Sequence, residues 1–462
     1  MEVFPIFKKK RKCFAVGVFI FLTIIISAFL FSYSVFCSEE NKETAQGLSL
    51  KETILIAFAN NKDIQIQERE ISVARANILD ARSKFLPQIN LEGSYTRRDK
   101  VLSQNIFTGY YNDNKVGLLM NQSVYTGGEN MANLKTAQLG LKVQEETLRA
   151  KKLDVEFDVK RLYYGLMLAY ETERIARETL EQAKAHYQDV KDKLSEGTAS
   201  RFDALQSEVQ VSLLIPNLVK ASNDINLIKA ELNKVLSRKV DASVEVEEKL
   251  GYSHLETNED RFLKAAYLNK PEMTLKALGV DINKWTIQMA KSGYRPQIDI
   301  GVDYSYRSNS LANIISSTRN NWNAGVSLNI PIFEGFSTKA KVDAAKARYS
   351  QAILDKENLA DQIAVDIRRA CLDLREAETI INSQKDNVGE AREALRIAEV
   401  RYDNGVGTNL DVLDAQVSLS QIQLNLANGI YDYLMAEAYL RRSLGESFIK
   451  VAAQPGSEAG NK

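Results

Sequence analysis

Arg401-Tyr402-Asp403-Asn404-Gly405-Val406-Gly407-Thr408-Asn409-Leu410-Asp411-Val412-Leu413-Asp414-Ala415-Gln416 reads as a turn set between two helical stretches, and its pattern occurs twice. Gly197-x-x-Ser200-x-Phe202-Asp203-x-Leu205 returns as Gly405-x-x-Thr408-x-Leu410-Asp411-x-Leu413, an offset of 405 − 197 = 208. Toward the N-terminus, Gly117, Asn121, Tyr125 and Gly127 match Gly325, Asn329, Phe333 and Gly335 at the same offset. Pro87-Gln88-Ile89 matches Pro296-Gln297-Ile298 at 296 − 87 = 209, as Asn60, Tyr95 and Arg98 match Asn269, Tyr304 and Arg307. So small a drift over so long a span implies two structural copies, each about 200 residues long. The reading divides the chain into a leader (1–37), a first copy (38–237), a connector (238–256), a second copy (257–446) and a polar tail (447–462) expected to be disordered.

Each copy has the same internal order: helix, strand, strand, very long helix, turn, helix. Ser49-Leu50-Lys51-Glu52 has the form of a capping box, predicting a helix to about Phe85 with Pro87 just past its end. In the second copy Thr257 is the expected cap, Asn269-Lys270-Pro271 interrupts, and a second run reaches about Gly293. Pro271 suits a first helical position, where its missing amide proton costs nothing.

The period then changes. Ile89, Leu91, Gly93 and Tyr95 alternate with Gln88, Asn90, Glu92, Ser94 and Thr96; Ile298, Ile300, Val302, Tyr304 and Tyr306 alternate with Gln297, Asp299, Gly301, Asp303 and Ser305. Polar loops at 99–114 and 307–320 lead into returning strands around Val116–Val124 and Trp322–Ile330. After Gly127-Gly128 and Gly335 the pattern is helical, and 129–194 and 337–403 contain no proline. At 1.5 Å per residue each run would be roughly 100 Å long. A helix of that length must pack laterally against others.

Lys8-Lys9-Lys10-Arg11-Lys12 precedes an apolar run from Phe14 to Phe31 and the segment Ser32–Ser38. This is the layout of a secretory signal peptide cleaved between Ser34 and Ser38. A retained membrane anchor and lipid attachment at Cys37 are the alternatives, although bulky Phe36 does not suit a lipoprotein site. Sixty basic residues balance 60 acidic ones, which argues against nucleic acid as partner. His186 and His254 lack metal-ligand spacing, and neither a phosphate-cradling glycine loop nor a serine nucleophile elbow is present. No enzymatic activity, cofactor or metal is expected.

Four strands of about ten residues, apolar on one face, have the length of transmembrane strands. Tyr95, Tyr125, Tyr304, Tyr306, Trp322 and Phe333 would suit the girdles at the two membrane interfaces. A soluble sheet with one buried face gives the same alternation. Four strands cannot close a barrel, and open edges are not tolerated in lipid; three copies would supply twelve strands. An exported coiled-coil adaptor that bridges membranes without a pore is the competing function, but it leaves the strands unexplained.

The signal peptide, the two-fold repeat and the Gly–Asp–Val–Leu turn motif quoted above resemble the TolC family of outer membrane efflux proteins over residues 48–446. The resemblance implies a mixed α and β membrane protein: a homotrimeric 12-stranded β-barrel in outer membrane lipid, continuous with a long α-helical barrel across the periplasm. It also implies a periplasmic adaptor (membrane fusion) protein and an inner membrane pump as partners, for efflux or type I secretion. The turns Gly197–Ser200 and Gly405–Thr408, with Gly407, would form the periplasmic tip where the adaptor docks.

Asp411 and Asp414 lie three apart, on one helix face, and three-fold symmetry would gather six carboxylates around the axis. Asp203 and Asp411 equally suit helix capping; Asp414, whose repeat partner is Gln206, is left to a lumen role. Tyr402 and Asp203 match family positions that latch a closed tip, but Gly407 stands where the family latch has a basic residue. Gly197, Gly405 and Gly407 also read as helix C-caps.

Overall fold

A computed structural model describes residues 47–97, 112–247, 250–310 and 320–448. The leader, Cys37, the tips of the two strand loops and the end of the tail lie outside the described residues.

The first copy opens with α1 (Leu50–Asn60) and α2 (Lys62–Ser83), where the sequence suggested one helix. Asn61 separates them: its side chain accepts from the amides of Asp63 and Ile64, so it caps α2 while ending α1. Its Nδ2 also donates to the Val235 carbonyl at 2.8 Å, which fixes the break against the end of the same copy. The capping box of Ser49 and Glu52 is formed. Then follow β1 (Gln88–Arg97), β2 (Asn112–Thr126), α3 (Glu129–Ser195) and α4 (Arg201–Val235).

The second copy repeats the order with α5 (Glu259–Asn269), α6 (Pro271–Lys291), β3 (Gln297–Ser308), β4 (Asn320–Asn329), α7 (Ser337–Asp403) and α8 (Asn409–Leu444). Asn258, not Thr257, caps α5, its side chain accepting from the Arg261 amide. Pro271 takes the first turn of α6 as expected. Both long helices have 67 residues, about 100 Å each. No described helix is long and apolar enough to cross a membrane.

The strands form one antiparallel sheet in the order β1-β2-β3-β4. Register aligns the apolar positions across all four: Leu91, Leu118, Tyr304 and Trp322 lie in one row, Ile89, Met120, Val302 and Ala324 in the next. These rows are largely bare, with Leu91 74% and Trp322 72% exposed. The other face is polar and internally paired: Lys115 bonds Asp303 at 2.6 Å and Ser123 bonds Asp299 at 2.6 Å. A single sheet therefore presents apolar side chains on one side and hydrogen-bonding groups on the other, and β1 and β4 each keep an edge with no strand beside it among the described residues.

Among the described residues the two larger core clusters lie one in each copy, and a smaller one of Ala391, Leu395, Val412 and Leu419 joins α7 to α8 near the tip. Ile54, Val159, Tyr163, Leu166 and Leu232 fill the first; Ile363, Ile367, Cys371, Leu374 and Tyr433 fill the second. The bulky aromatic has changed helices between copies, since Tyr163 corresponds to Cys371 and Ile225 to Tyr433. Each tyrosine reaches the irregular chain beside its core: Tyr163 donates to the Leu48 carbonyl and Tyr433 to the Ser253 carbonyl.

The copies end alike. Gly445 follows α8 in the left-handed region (φ +70°), and its counterpart Ser237 is held at φ +55°. A left-handed conformation costs an L-residue about 1–2 kcal/mol, against the extra chain entropy that glycine loses on folding. Ser237→Gly is therefore expected to be neutral to stabilising by up to about 1 kcal/mol, read as a raised melting temperature; a clear fall would mean the serine side chain matters more than its backbone.

Candidate functional site at the helical tip

Both long helices end in the same way. The amides of Gly197 and Thr198 donate back to the carbonyls of Leu194 and Lys193, and those of Gly405 and Val406 to Tyr402 and Arg401. This double bond pattern needs a left-handed residue at its centre, supplied by Gly197 (φ +79°) and Gly405 (φ +69°). Gly407 is not a cap of this kind. Its amide donates to Arg401, and an added Cβ would stand 3.0 Å from both the Arg401 Cβ and the Tyr402 amide. The turn is pressed against the end of α7 at the position where a basic residue would have to fit.

The return helices start on matching capping boxes. Ser200 Oγ accepts from the Asp203 amide while Asp203 Oδ2 accepts from the Ser200 amide at 3.2 Å. Thr408 Oγ1 and Asp411 Oδ2 repeat the exchange at 3.2 and 2.9 Å. The hydrogen bonds from Thr408, backbone first, hold the Asp411 carboxyl below its ordinary value. This contribution is present above the unfolded carboxylate range and is lost as pH falls through the lowered value. Asp203 and Asp411 thus act as caps, each on its own helix. Asp414 stays exposed beside a groove of about 430 Å³ between α4 and α8, walled by Phe202, Leu205, Leu410 and Val417.

Most of the residues that join the two tips were not among the sequence candidates. Asn409, 2% exposed, is their hub. Its Oδ1 accepts from Ser207 Oγ at 3.0 Å and from His186 Nε2 at 2.7 Å, and its Nδ2 donates to Gln206 Oε1 at 3.1 Å and the Asp203 carbonyl at 3.4 Å. One side chain of α8 therefore binds α3 and α4 of the other copy. Beside it Lys193 bonds Asp189 at 2.8 Å and Asp403 at 2.7 Å, and lies 4.3 Å from the Tyr402 ring centroid.

Burial alone would lower the Lys193 ammonium, but its bonds to Asp189 and Asp403 outweigh that and leave it raised. A raised lysine keeps its stabilising bonds below its ordinary value of 10.5 and loses them only as pH rises through the folded value. Tyr402 packs edge-on against His186, centroids 5.3 Å apart; burial pushes its phenol up, with Lys193 opposing. Burial also pushes the neighbouring Glu399 carboxyl up, with His186 opposing and Asp403 adding. Tyr402 thus touches the other copy through its ring. No cluster of His, Cys, Asp and Glu able to hold a metal occurs among the described residues.

This fold has known counterparts. The CmeC outer membrane channel of Campylobacter jejuni superposes with a TM-score of 0.77 at 19% identity, covering 86% of this chain and 85% of that one. The open state of the MtrE outer membrane channel of Neisseria gonorrhoeae gives 0.74 at 19%, covering 86% and 89%. In sequence, outer membrane efflux protein BepC of Brucella suis is 23% identical over 424 residues, 91% of this chain and 90% of its own. The family model described as outer membrane efflux protein matches twice, at residues 54–238 and 262–446. Matched through both of its copies, the chain belongs to the outer membrane efflux protein family.

Proposed function

We propose that this chain is one protomer of a homotrimeric channel in the outer membrane, the passive exit duct of a tripartite efflux or type I secretion system. The observation that carries the reading is the sheet, whose exposed apolar face and two unpartnered edges are joined directly to paired 67-residue helices. Lipid would cover the apolar face, and neighbouring copies would pair the edges into a twelve-stranded barrel. The polar face would line water, and the long helices would continue the duct through the periplasm. An inner membrane pump would supply the energy through a periplasmic adaptor.

At the tip, Asp414 is the carboxylate best suited to a lumen ring, because Asp203 and Asp411 are engaged as caps. The turns at Gly197–Ser200 and Gly405–Thr408, with the apolar groove beside them, would receive the adaptor. Planar-bilayer recording tests this directly. The purified protein should give discrete cation-preferring pores, and Asp414→Asn should lower that preference several-fold without unfolding the tip. Pores with unaltered selectivity would return Asp414 to an ordinary surface role. Absence of pores from a folded, membrane-extracted protein would leave the bridging-adaptor reading.

A further inference from the structure

A cavity of about 520 Å³ lies between the two copies, away from the tip. Its volume falls within the range typical of small-molecule sites, about 300–1,000 Å³. Much of the wall is apolar: Met167 from α3, Val246 and Leu250 from the connector, and Leu426 and Ile430 from α8. Gln423 also lines it. The residue is 9% exposed, its carboxamide is not among the polar atoms closed off from solvent, and it has no hydrogen-bond partner among the described residues. Lining the cavity, the amide can both donate to and accept from whatever enters it.

Two guanidiniums and the Glu171 carboxylate border the same space, and the guanidiniums differ. Arg174 is occupied, bonding Glu171 through two nitrogens at 2.7 and 3.0 Å and Glu178 at 2.8 Å. Arg392 has no carboxylate partner among the described residues. Its helical neighbours three and four positions away are Val388, Gly389, Leu395 and Arg396, none of them acidic. A planar guanidinium presents a fork of donors suited to a carboxylate.

An apolar wall, an unpartnered amide lining the cavity and an unneutralised arginine together describe one kind of occupant. We infer that this cavity binds an amphipathic organic anion, an apolar body with a single carboxylate head. The apolar part would lie against Leu250, Leu426 and Ile430. The head would meet Arg392, and the Gln423 amide would complete its hydrogen bonding. Such a ligand would touch α3, the connector, α7 and α8 at once, bridging the two copies. The site is built within a single chain, so its failure would leave the trimeric channel reading intact.

Isothermal titration of the full-length protein in a nonionic detergent tests the inference, with octanoate as probe and a micelle-only titration as blank. Octanol and octylammonium serve as neutral and cationic comparisons. The expected result is one saturable octanoate site per chain, at least tenfold tighter than either comparison. Arg392→Gln should abolish the preference for the anion, and Gln423→Met should weaken octanoate several-fold while leaving octanol unchanged. Arg392 is an exposed residue, so its variant should fold normally, which circular dichroism checks. Absence of saturable octanoate binding to the wild type, or an anion preference that survives in Arg392→Gln, would overturn the assignment.

Discussion

Replacing Asn409 by leucine is expected to uncouple the two tips of the chain and leave the channel leaking at rest. The substitution removes the hub of four hydrogen bonds and leaves His186 (9% exposed) with a ring nitrogen facing an apolar side chain, while Ser207 (1%) keeps its bond to the Asp203 carbonyl. A buried group stripped of its partner costs about 1–3 kcal/mol, so a loss of roughly 2 kcal/mol localised at the tip is expected. Lys193 would remain as a polar tie between the copies there, joining α3 to α7 through Asp403. Resting conductance in a bilayer should rise, and backbone amides around 186–210 and 400–416 should exchange faster. Ser207→Ala removes one of the bonds and should cost about 1 kcal/mol with a small change in conductance. If Asn409→Leu shows wild-type conductance and exchange, the network does not hold the tip closed.

Gly445→Ala should be among the most damaging added methyls in the described residues. The residue has φ +70°, and an added Cβ would lie 2.5 Å from the Asn269 carbonyl oxygen and 2.7 Å from Lys270 Cα. These are backbone atoms at the break between α5 and α6, and they cannot swing aside as a side-chain tip can. Arg149 fastens the same carbonyl from α3 with a bond of 2.6 Å. Left-handed strain of about 1–2 kcal/mol adds to overpacking of about 1–3 kcal/mol, for a combined loss of roughly 2–5 kcal/mol. Thermal unfolding should fall well below wild type and the yield of folded protein should drop. A melting temperature within error of wild type would mean that the junction yields more readily than its geometry implies.

Much of the architecture was legible because it depends on period and punctuation. Alternation over Gln88–Arg97 and Asn320–Asn329 gave the strands, and glycines at 127, 197, 335 and 405 marked the corners. The break at Asn61 was less visible, because one asparagine serves as both the end of α1 and the cap of α2, and no proline follows it as Pro271 follows Lys270. At the tip, local spacing offered a capping role for Asp203 and Asp411 on equal terms with a lumen one. It did not offer the Asn409 network, whose members are drawn from three helices and as many as 223 positions apart. One signal was available: His186 and Asn409 break the repeat, standing where the other copy has Ala394 and Arg201. Polar residues that depart from an internal symmetry at matching heights were worth pairing.

The equal length of α3 and α7 bears on how this gene can change. Deleting one heptad from α3 alone would pull its turn back by about 10 Å, away from α7, and part Lys193 from Asp403. Substitutions can accumulate on either copy while the offset stays at 208, as it does from Gly117/Gly325 through Gly197/Gly405. The single shift from 209 to 208 falls between Arg98/Arg307 and Gly117/Gly325, in the stretch containing the loop between paired strands, where no helix has to keep step with another. Insertions and deletions should thus survive in those loops, or arise in both halves together, whereas a lineage that shortens one helical half by itself should disappear.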